Sequence, residues 1–495
     1  MGPEYVSTRN KKEKVSASQA ILKGLADDGG LFVPTYLPVF DRELSDFSGM
    51  DYKETAYNIM KLFLTDFTEE ELRGCIERAY DEKFDTPLIA PLKKAQNAYY
   101  LELFHGKTIA FKDMALSILP HLMTTAARKN NVKDEIVILT ATSGDTGKAA
   151  LCGFDSVPGT KIVVFYPKGG VSPIQEKQMV TQSGENTKVI GIKGNFDEAQ
   201  TGVKKMFNDR ALNERLSAAN MRFSSANSIN IGRLVPQIVY YVYAYSRLVN
   251  EKAIECGDPV NITVPTGNFG NILAAYFAKQ LGLPVNKLIC ASNENKVLFD
   301  FFKTGVYDKN REFHLTSSPS MDILISSNLE RLIYLIAGSD DVKLSSLMKD
   351  LSSKGSYEIT PEMREGLKDF YGNYATEQET AQKIKDVFGS DSYVLDPHTA
   401  VAAAVYDKYV SETGDDTKTI IASTASPYKF TRNVMRALSK DDPEKSDLEL
   451  TNDLQKLSGV DIPSAIEEIR TAPVRHTDVV EINEMEEAVE KFLKA

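Results

Sequence analysis

Through the middle of the chain, short apolar runs alternate with longer stretches of helical spacing. Residues 135–140, 161–166, 188–192 and 260–264 are rich in Val and Ile at successive positions, and 287–291 and 419–422 repeat the pattern. A run that is apolar on both faces reads as a strand inside a parallel sheet, because helices cover such sheets on both sides. Helical spacing follows the first four runs, at 147–154, after a turn at 167–170, at 197–208 and at 271–281. The predicted fold is therefore α/β, built from parallel strand–helix units. Residues 1–90 read differently, as a helical, loop-rich segment with helical spacing at 16–25, 52–63 and 69–78. Residues 340–390 are charged and show no strand pattern, which predicts a helical excursion from the sheet.

Parallel sheets hold ligands at the carboxyl ends of their strands. Three strand ends here lead into loops of glycine and small polar residues. The first runs Thr140, Ala141, Thr142, Ser143, Gly144, Asp145, Thr146, Gly147, Lys148; the second Pro265, Thr266, Gly267, Asn268, Phe269, Gly270, Asn271; the third Ser423, Thr424, Ala425, Ser426, Pro427. A glycine loop feeding a helix presents unpaired N–H groups beside the positive end of the helix dipole, which favours an anion. Two such loops suggest two anionic groups, although each alone could be a plain turn. The first loop ends in Gly147-Lys148 but is not a nucleotide P-loop: two residues separate Gly144 from Gly147, and Ala149 replaces the required Ser or Thr.

Composition narrows the class of partner. With 495 residues the chain is too long for one core, so two or three domains are expected. A net charge of −11 opposes a nucleic-acid or anionic-membrane surface. Cys75, Cys152, Cys256 and Cys290 form no C-x-x-C pair, and five scattered histidines add no ligand spacing, so neither a metal site nor a disulfide framework is expected. The N-terminus lacks an apolar signal core, Val6 stands where myristoylation needs Ser or Thr, and no apolar run reaches the ~18 residues of a spanning helix. A cytoplasmic location is expected.

Lys112 lies in Thr108-Ile109-Ala110-Phe111-Lys112-Asp113-Met114, at a helix start. Such a lysine is often a snorkelling surface residue. Its chemical reading needs a partly desolvated amine, whose depressed pKa permits attack on a carbonyl.

Several motifs in order resemble the threonine synthase family, in its longer form. They are Ser7-Thr8-Arg9; Ala20 to Ala26 with Asp28-Gly29-Gly30-Leu31-Phe32-Val33-Pro34; Leu103-Phe104-His105-Gly106 with Ala110-Phe111-Lys112-Asp113; Thr142 to Gly147; Ser225 to Asn230 with Arg233, Pro236 and Gln237; Gly267 to Asn271; Asn293-Glu294-Asn295; Ser318 to Ile323; and Asp396 to Ala400. The opening signature and residues 318–323 separate this family from other fold type II pyridoxal-phosphate enzymes, such as cysteine synthase and the dehydratases. Asn10 departs from the family's glycine, and Ser426 and Tyr428 stand where many members read His and Ala. The resemblance implies a tryptophan synthase β-like fold. It would comprise an N-terminal segment at 1–90, a smaller α/β domain at 91–230 and a larger one at 231–495 carrying the insertion near 340–390.

The resemblance also implies roles. Lys112 is the expected cofactor-bearing lysine and general base. Gly267, Asn268, Phe269, Gly270 and Asn271 are expected to hold the phosphate of pyridoxal 5'-phosphate, and Thr424 its pyridine nitrogen. Thr142, Ser143, Gly144, Asp145 and Thr146 are expected around the substrate carboxylate, with Asp145 either sharing a proton with the cofactor's phenolic oxygen or turned away. Ser225, Asn227, Ser228, Asn230 and Arg233 are expected on the substrate phosphate. His105 and His398 read as structural histidines. The implied activity converts O-phospho-L-homoserine and water to L-threonine and phosphate, by a monomer or homodimer. Two rivals are another pyridoxal-phosphate lyase that releases a keto acid, and a non-catalytic protein that binds phosphorylated metabolites.

Overall fold

The computed structural model describes residues 2–142 and 144–494. Two main sheets organise them. The larger has six strands in the order Phe370–Tyr374, Val285–Ser292, Val260–Pro265, Thr419–Ser423, Ala98–Glu102, Leu92–Ala95. The first five run parallel, and only Leu92–Ala95 is antiparallel. The smaller sheet is parallel throughout, in the order Val479–Val480, Thr187–Ile192, Thr160–Pro167, Glu135–Ala141, Met221–Ser224. Every strand expected from the apolar runs is present. Val260–Pro265 is buried at all six positions, as an interior parallel strand requires.

The helices follow their local signals. Tyr52–Phe63 starts where the Asp51 side chain accepts from the Glu54 amide, and Glu69–Ala79 starts at a Thr68/Glu71 capping box. Ile231–Asn250 is apolar almost all round and buried along nearly its whole length. It packs on Tyr52–Phe63, Gly270–Leu281 and the short helix Asp113–Leu116. The N-terminal segment, the second glycine loop and the Lys112 segment are thereby fixed to one rod.

Three expectations are corrected. The N-terminal segment is not only helix and loop: Asn10–Val15, Tyr5–Ser7 and Phe32–Pro34 form an antiparallel sheet. Two of these strands have three residues, too few to show a period, and Asn10–Val15 is polar and mostly exposed. The region 340–390 does contain strands. Ser356–Glu358 pairs with Val306–Asp308, and Phe370–Tyr374 forms the edge of the larger sheet. An edge strand has one neighbour, so it needs no doubly apolar run. Finally, the sheets cross the expected boundaries. Residues 92–102 belong to the larger sheet, although they were expected in the smaller domain at 91–230. The strand Val479–Val480 and the buried Met485, Val489 and Leu493 return the chain's end to the smaller sheet. Chain order cannot reveal which sheet a two-residue strand joins.

Candidate active site

The candidate site forms where the loops leaving both sheets meet. In the first loop the Thr142 hydroxyl accepts from the amides of Gly144 (3.0 Å) and Gly147 (2.9 Å), pinning the turn that opens the helix Asp145–Phe154. Gly144 has φ 133°, and a Cβ there would lie 2.5 Å from the Gln175 side chain, so both backbone and space demand glycine. Thr146 is half-buried beside it. Ser143 lies outside the described residues.

The second loop turns on Phe269, whose φ of 62° sets up the helix Gly270–Leu281. The Asn268 carbonyl accepts from both the backbone and side-chain N–H of Asn328, at 3.0 Å each. A Cβ on Gly267 would lie 2.5 Å from the Ser320 carbonyl oxygen. Asn271 Oδ1 accepts from the hydroxyls of Tyr240 (2.7 Å) and Tyr241. That orients the side-chain amide and leaves its buried Nδ2 without a partner among the described residues.

The third loop is zipped to the segment that bears Lys112. Phe111 N–H donates to the Thr424 carbonyl at 2.8 Å, and Ser426 N–H to the Ile109 carbonyl at 3.0 Å. Thr424 is buried, its own N–H directed to Thr399 Oγ1 at 3.3 Å. Ser426, at the position where many relatives of the expected family carry histidine, caps the turn Pro427–Phe430 by accepting from Tyr428 N–H at 3.3 Å.

Charged groups converge on these loops. Lys112 starts the helix Asp113–Leu116 and donates from Nζ to Ser320 Oγ at 3.1 Å. Ser320 Oγ donates in turn to Asp145 Oδ2 at 3.0 Å, and Lys112 Nζ lies 3.6 Å from that oxygen. Asp145 Oδ1 faces Lys429 Nζ at 3.1 Å and accepts from Gln175 Nε2 at 2.8 Å. Burial by itself would raise the Asp145 carboxyl, but the adjacent ammonium groups of Lys429 and Lys112, with Gln175, outweigh it and hold the group well below the usual carboxylate range. Lys112 is shifted the other way: burial lowers its amine below the ordinary lysine range, opposed by Asp145 and aided by Lys429 and Arg233.

Arg233 is 2% exposed. Its Nη1 donates to the Ala226 carbonyl at 3.1 Å, and its Nε has no partner among the described residues. Burial pushes the guanidinium down to about 10. A buried cation without a carboxylate is costly unless an anion arrives. Around it, Asn227 Oδ1 accepts from the Thr140 hydroxyl (3.0 Å), Ser225 Oγ accepts from Asn227 N–H (3.2 Å), and Ser228 is half-buried. Asn230 is corrected. Its two amide hydrogens go to the carbonyls of Ile21 and Ser225, both at 3.0 Å, and its oxygen accepts from Gly232 N–H at 2.9 Å. It is a saturated helix cap with no donor left for a phosphate.

Sequence reasoning missed Lys429, Ser320, Gln175 and Arg331 as site residues. Ser320 lies in the 318–323 motif, which carried no chemistry by itself. Arg331 is fully buried, donating to the carbonyls of Phe32 (2.8 Å) and Ile229 (2.6 Å) and pairing with Asn328, so it ties the N-terminal sheet, the Arg233 segment and the second loop together. His398 directs Nδ1 to Asp396 at 2.7 Å and accepts from Ser320 N–H at Nε2, 3.2 Å away.

Three family models match in order: threonine synthase N terminus at 4–80, pyridoxal-phosphate dependent enzyme at 81–424, and threonine synthase C-terminal at 399–492. The chain is 37% identical to threonine synthase of Saccharomyces cerevisiae, over 88% of this chain and 89% of that one. The chain belongs to the threonine synthase family of pyridoxal-phosphate dependent enzymes. A solved yeast threonine synthase superposes with a TM-score of 0.89 at 33% identity, covering 99% of both chains. A pyridoxal-phosphate-bound threonine synthase from Brucella melitensis superposes at 0.87, with 34% identity over 100% of both. Threonine synthase-like 1 of Homo sapiens is 41% identical over 88% of this chain, and the match spans 60% of that protein's length.

The residues present fit the family's cofactor. Gly267 lets the loop pack directly on the Ser320 backbone, the loop feeds the N-terminus of the helix Gly270–Leu281, and Asn271 Nδ2, buried and without a partner among the described residues, adds a donor suited to a phosphate. A buried, easily deprotonated lysine stands ready for an aldehyde.

Proposed function

We propose that this protein is a threonine synthase that converts O-phospho-L-homoserine and water into L-threonine and phosphate. The observation that carries the reading is Arg233, a buried guanidinium with no carboxylate partner among the described residues and an Nε without a hydrogen bond among them. Such a fork suits a phosphate dianion, with Asn227 Nδ2 and the Ser228 hydroxyl as neutral donors beside it. When bound, the cofactor withdraws electrons from the carbons next to the substrate's amine.

The chain's own residues supply the rest. The loop at 267–271 would hold the cofactor phosphate, and the Thr424 hydroxyl would bond the pyridine nitrogen. The amides opening the helix Asp145–Phe154 receive the substrate carboxylate. The Lys112 amine removes first the α-proton and then a β-proton. The γ-carbon loses phosphate and later gains a proton to become the methyl group, while water adds its hydroxyl at the β-carbon.

Product analysis with O-phospho-L-homoserine tests the reading. Threonine and phosphate in equal amounts are expected. Release of 2-oxobutyrate and ammonia in place of threonine would replace it with a phospholyase.

A further inference from the structure

Two ammonium groups face one buried carboxylate, and the geometry ranks them. Lys429 Nζ lies 3.1 Å from Asp145 Oδ1, and Lys112 Nζ 3.6 Å from Oδ2. The Lys429 side chain has no exposed surface, whereas that of Lys112 is 11% exposed. Lys429 also donates to the Thr108 carbonyl at 2.8 Å, while the hydrogen bond of Lys112 is to a neutral hydroxyl, Ser320 Oγ. A fully enclosed ammonium requires an anion more than a partly open one does.

Among the described residues, the charged groups around the pair offer no second anion to Lys112. Arg233 is a further cation. Asp113 spends its carboxylate on the Thr108 amide (2.8 Å) and hydroxyl (2.6 Å). His398 is turned to Asp396, and Lys148 to Gln182.

We propose that Lys429 is the fixed counter-ion of Asp145, and that it thereby leaves the Lys112 amine with no anion of its own. Lys429 is a positioning residue: it acts on Lys112 through Asp145 and touches no reacting atom. Without it, Asp145 pairs with Lys112, and that amine keeps its proton when it is required as nucleophile and base. Lys429 and Arg233 both push Lys112 in the direction of deprotonation, and Asp145 opposes them. The inference rests on the proposed function only for what the amine does next.

The test uses the full chain, stripped of any bound aldehyde with hydroxylamine. Limiting acetic anhydride is applied across a pH series, and acetylation of Lys112 is quantified by peptide mass spectrometry. Lys429→Met is expected to move the half-labelling pH of Lys112 upward by about one to three units, the range for an opposite charge at this separation. Asp145→Asn/Lys429→Met removes carboxylate and counter-ion together, and is expected to return the midpoint to within about half a unit of the parent. An unmoved midpoint in Lys429→Met overturns the proposal, as does an upward shift of about a unit or more that persists in the double variant. If Lys429→Met does not fold, the double variant decides by the same criterion. No cofactor or substrate enters this measurement, so its failure leaves the product assay standing, and a keto-acid product leaves the labelling result standing.

Discussion

The amide of Phe111 donates to the carbonyl of Thr424 at 2.8 Å. This bond fixes the residue before Lys112 to the residue proposed for the pyridine nitrogen, so the two proposed cofactor contacts are tied to each other through the backbone. Borohydride reduction of the cofactor-loaded protein, followed by peptide mapping, is expected to find the label on Lys112. Lys112→Ala is expected to remove the label and to lower turnover by at least about 10²–10⁴-fold, the contribution of a positioned base. A label on another lysine would refute the assignment.

Arg233 and Asn230 open the same helix yet differ in what they can offer a ligand. Arg233→Met removes a buried cation without a carboxylate partner among the described residues, so thermal unfolding in ligand-free buffer is expected at the same or a higher temperature. The same variant is expected to lose the stabilisation that inorganic phosphate gives the parent, and to lower kcat/KM by about 10–150-fold, equivalent to about 1.5–3 kcal/mol for a hydrogen bond to a charged group. Asn230→Ala is expected to do the reverse, costing about 1 kcal/mol of stability while leaving KM for the phosphorylated substrate nearly unchanged.

Gly267 leaves no room for a side chain, since a Cβ would sit 2.5 Å from the backbone oxygen of Ser320. Gly267→Ala must therefore push the Ser320 segment away from Lys112 and Asp145. A loss of about 1–3 kcal/mol in denaturant unfolding is expected, together with weaker retention of the cofactor on gel filtration. Retention and stability both equal to the parent's would show that the loop is slack.

His105 donates both ring nitrogens, to Asp85 at 2.6 Å and to Glu102 at 3.1 Å. Burial lowers it, but the two carboxylates prevail and raise it to about 9. A raised folded-state value contributes stability that is complete below the unfolded value near 6.5 and disappears as pH rises through about 9. Urea unfolding of the parent and of His105→Gln is expected to differ most below pH 6.5 and to converge above pH 9. A gap independent of pH would refute the ion pairing.

Much of the site was legible from short-range signals. The glycine-rich loops at 144–147 and 267–271 were readable because turns, caps and helix starts are set by neighbours a few residues away, whereas the lysine at 112 was singled out by the family resemblance. Asn230 was misread for the same reason: its motif identifies the turn, whereas its saturation depends on a carbonyl at Ile21. Nothing local marks Lys429, two residues after Pro427, as wholly enclosed.

The sequence by itself determined the parallel α/β class, most interior strands and the order of the loops, because these follow from apolar period, capping and turn chemistry. Only the tertiary structure decided which carboxylate meets which ammonium, which strands form the sheet edges, and which cation is left without a partner. Those outcomes depend on solvent exclusion and on contacts such as Ser320 with Asp145, 175 positions apart, and no window along the chain contains both partners.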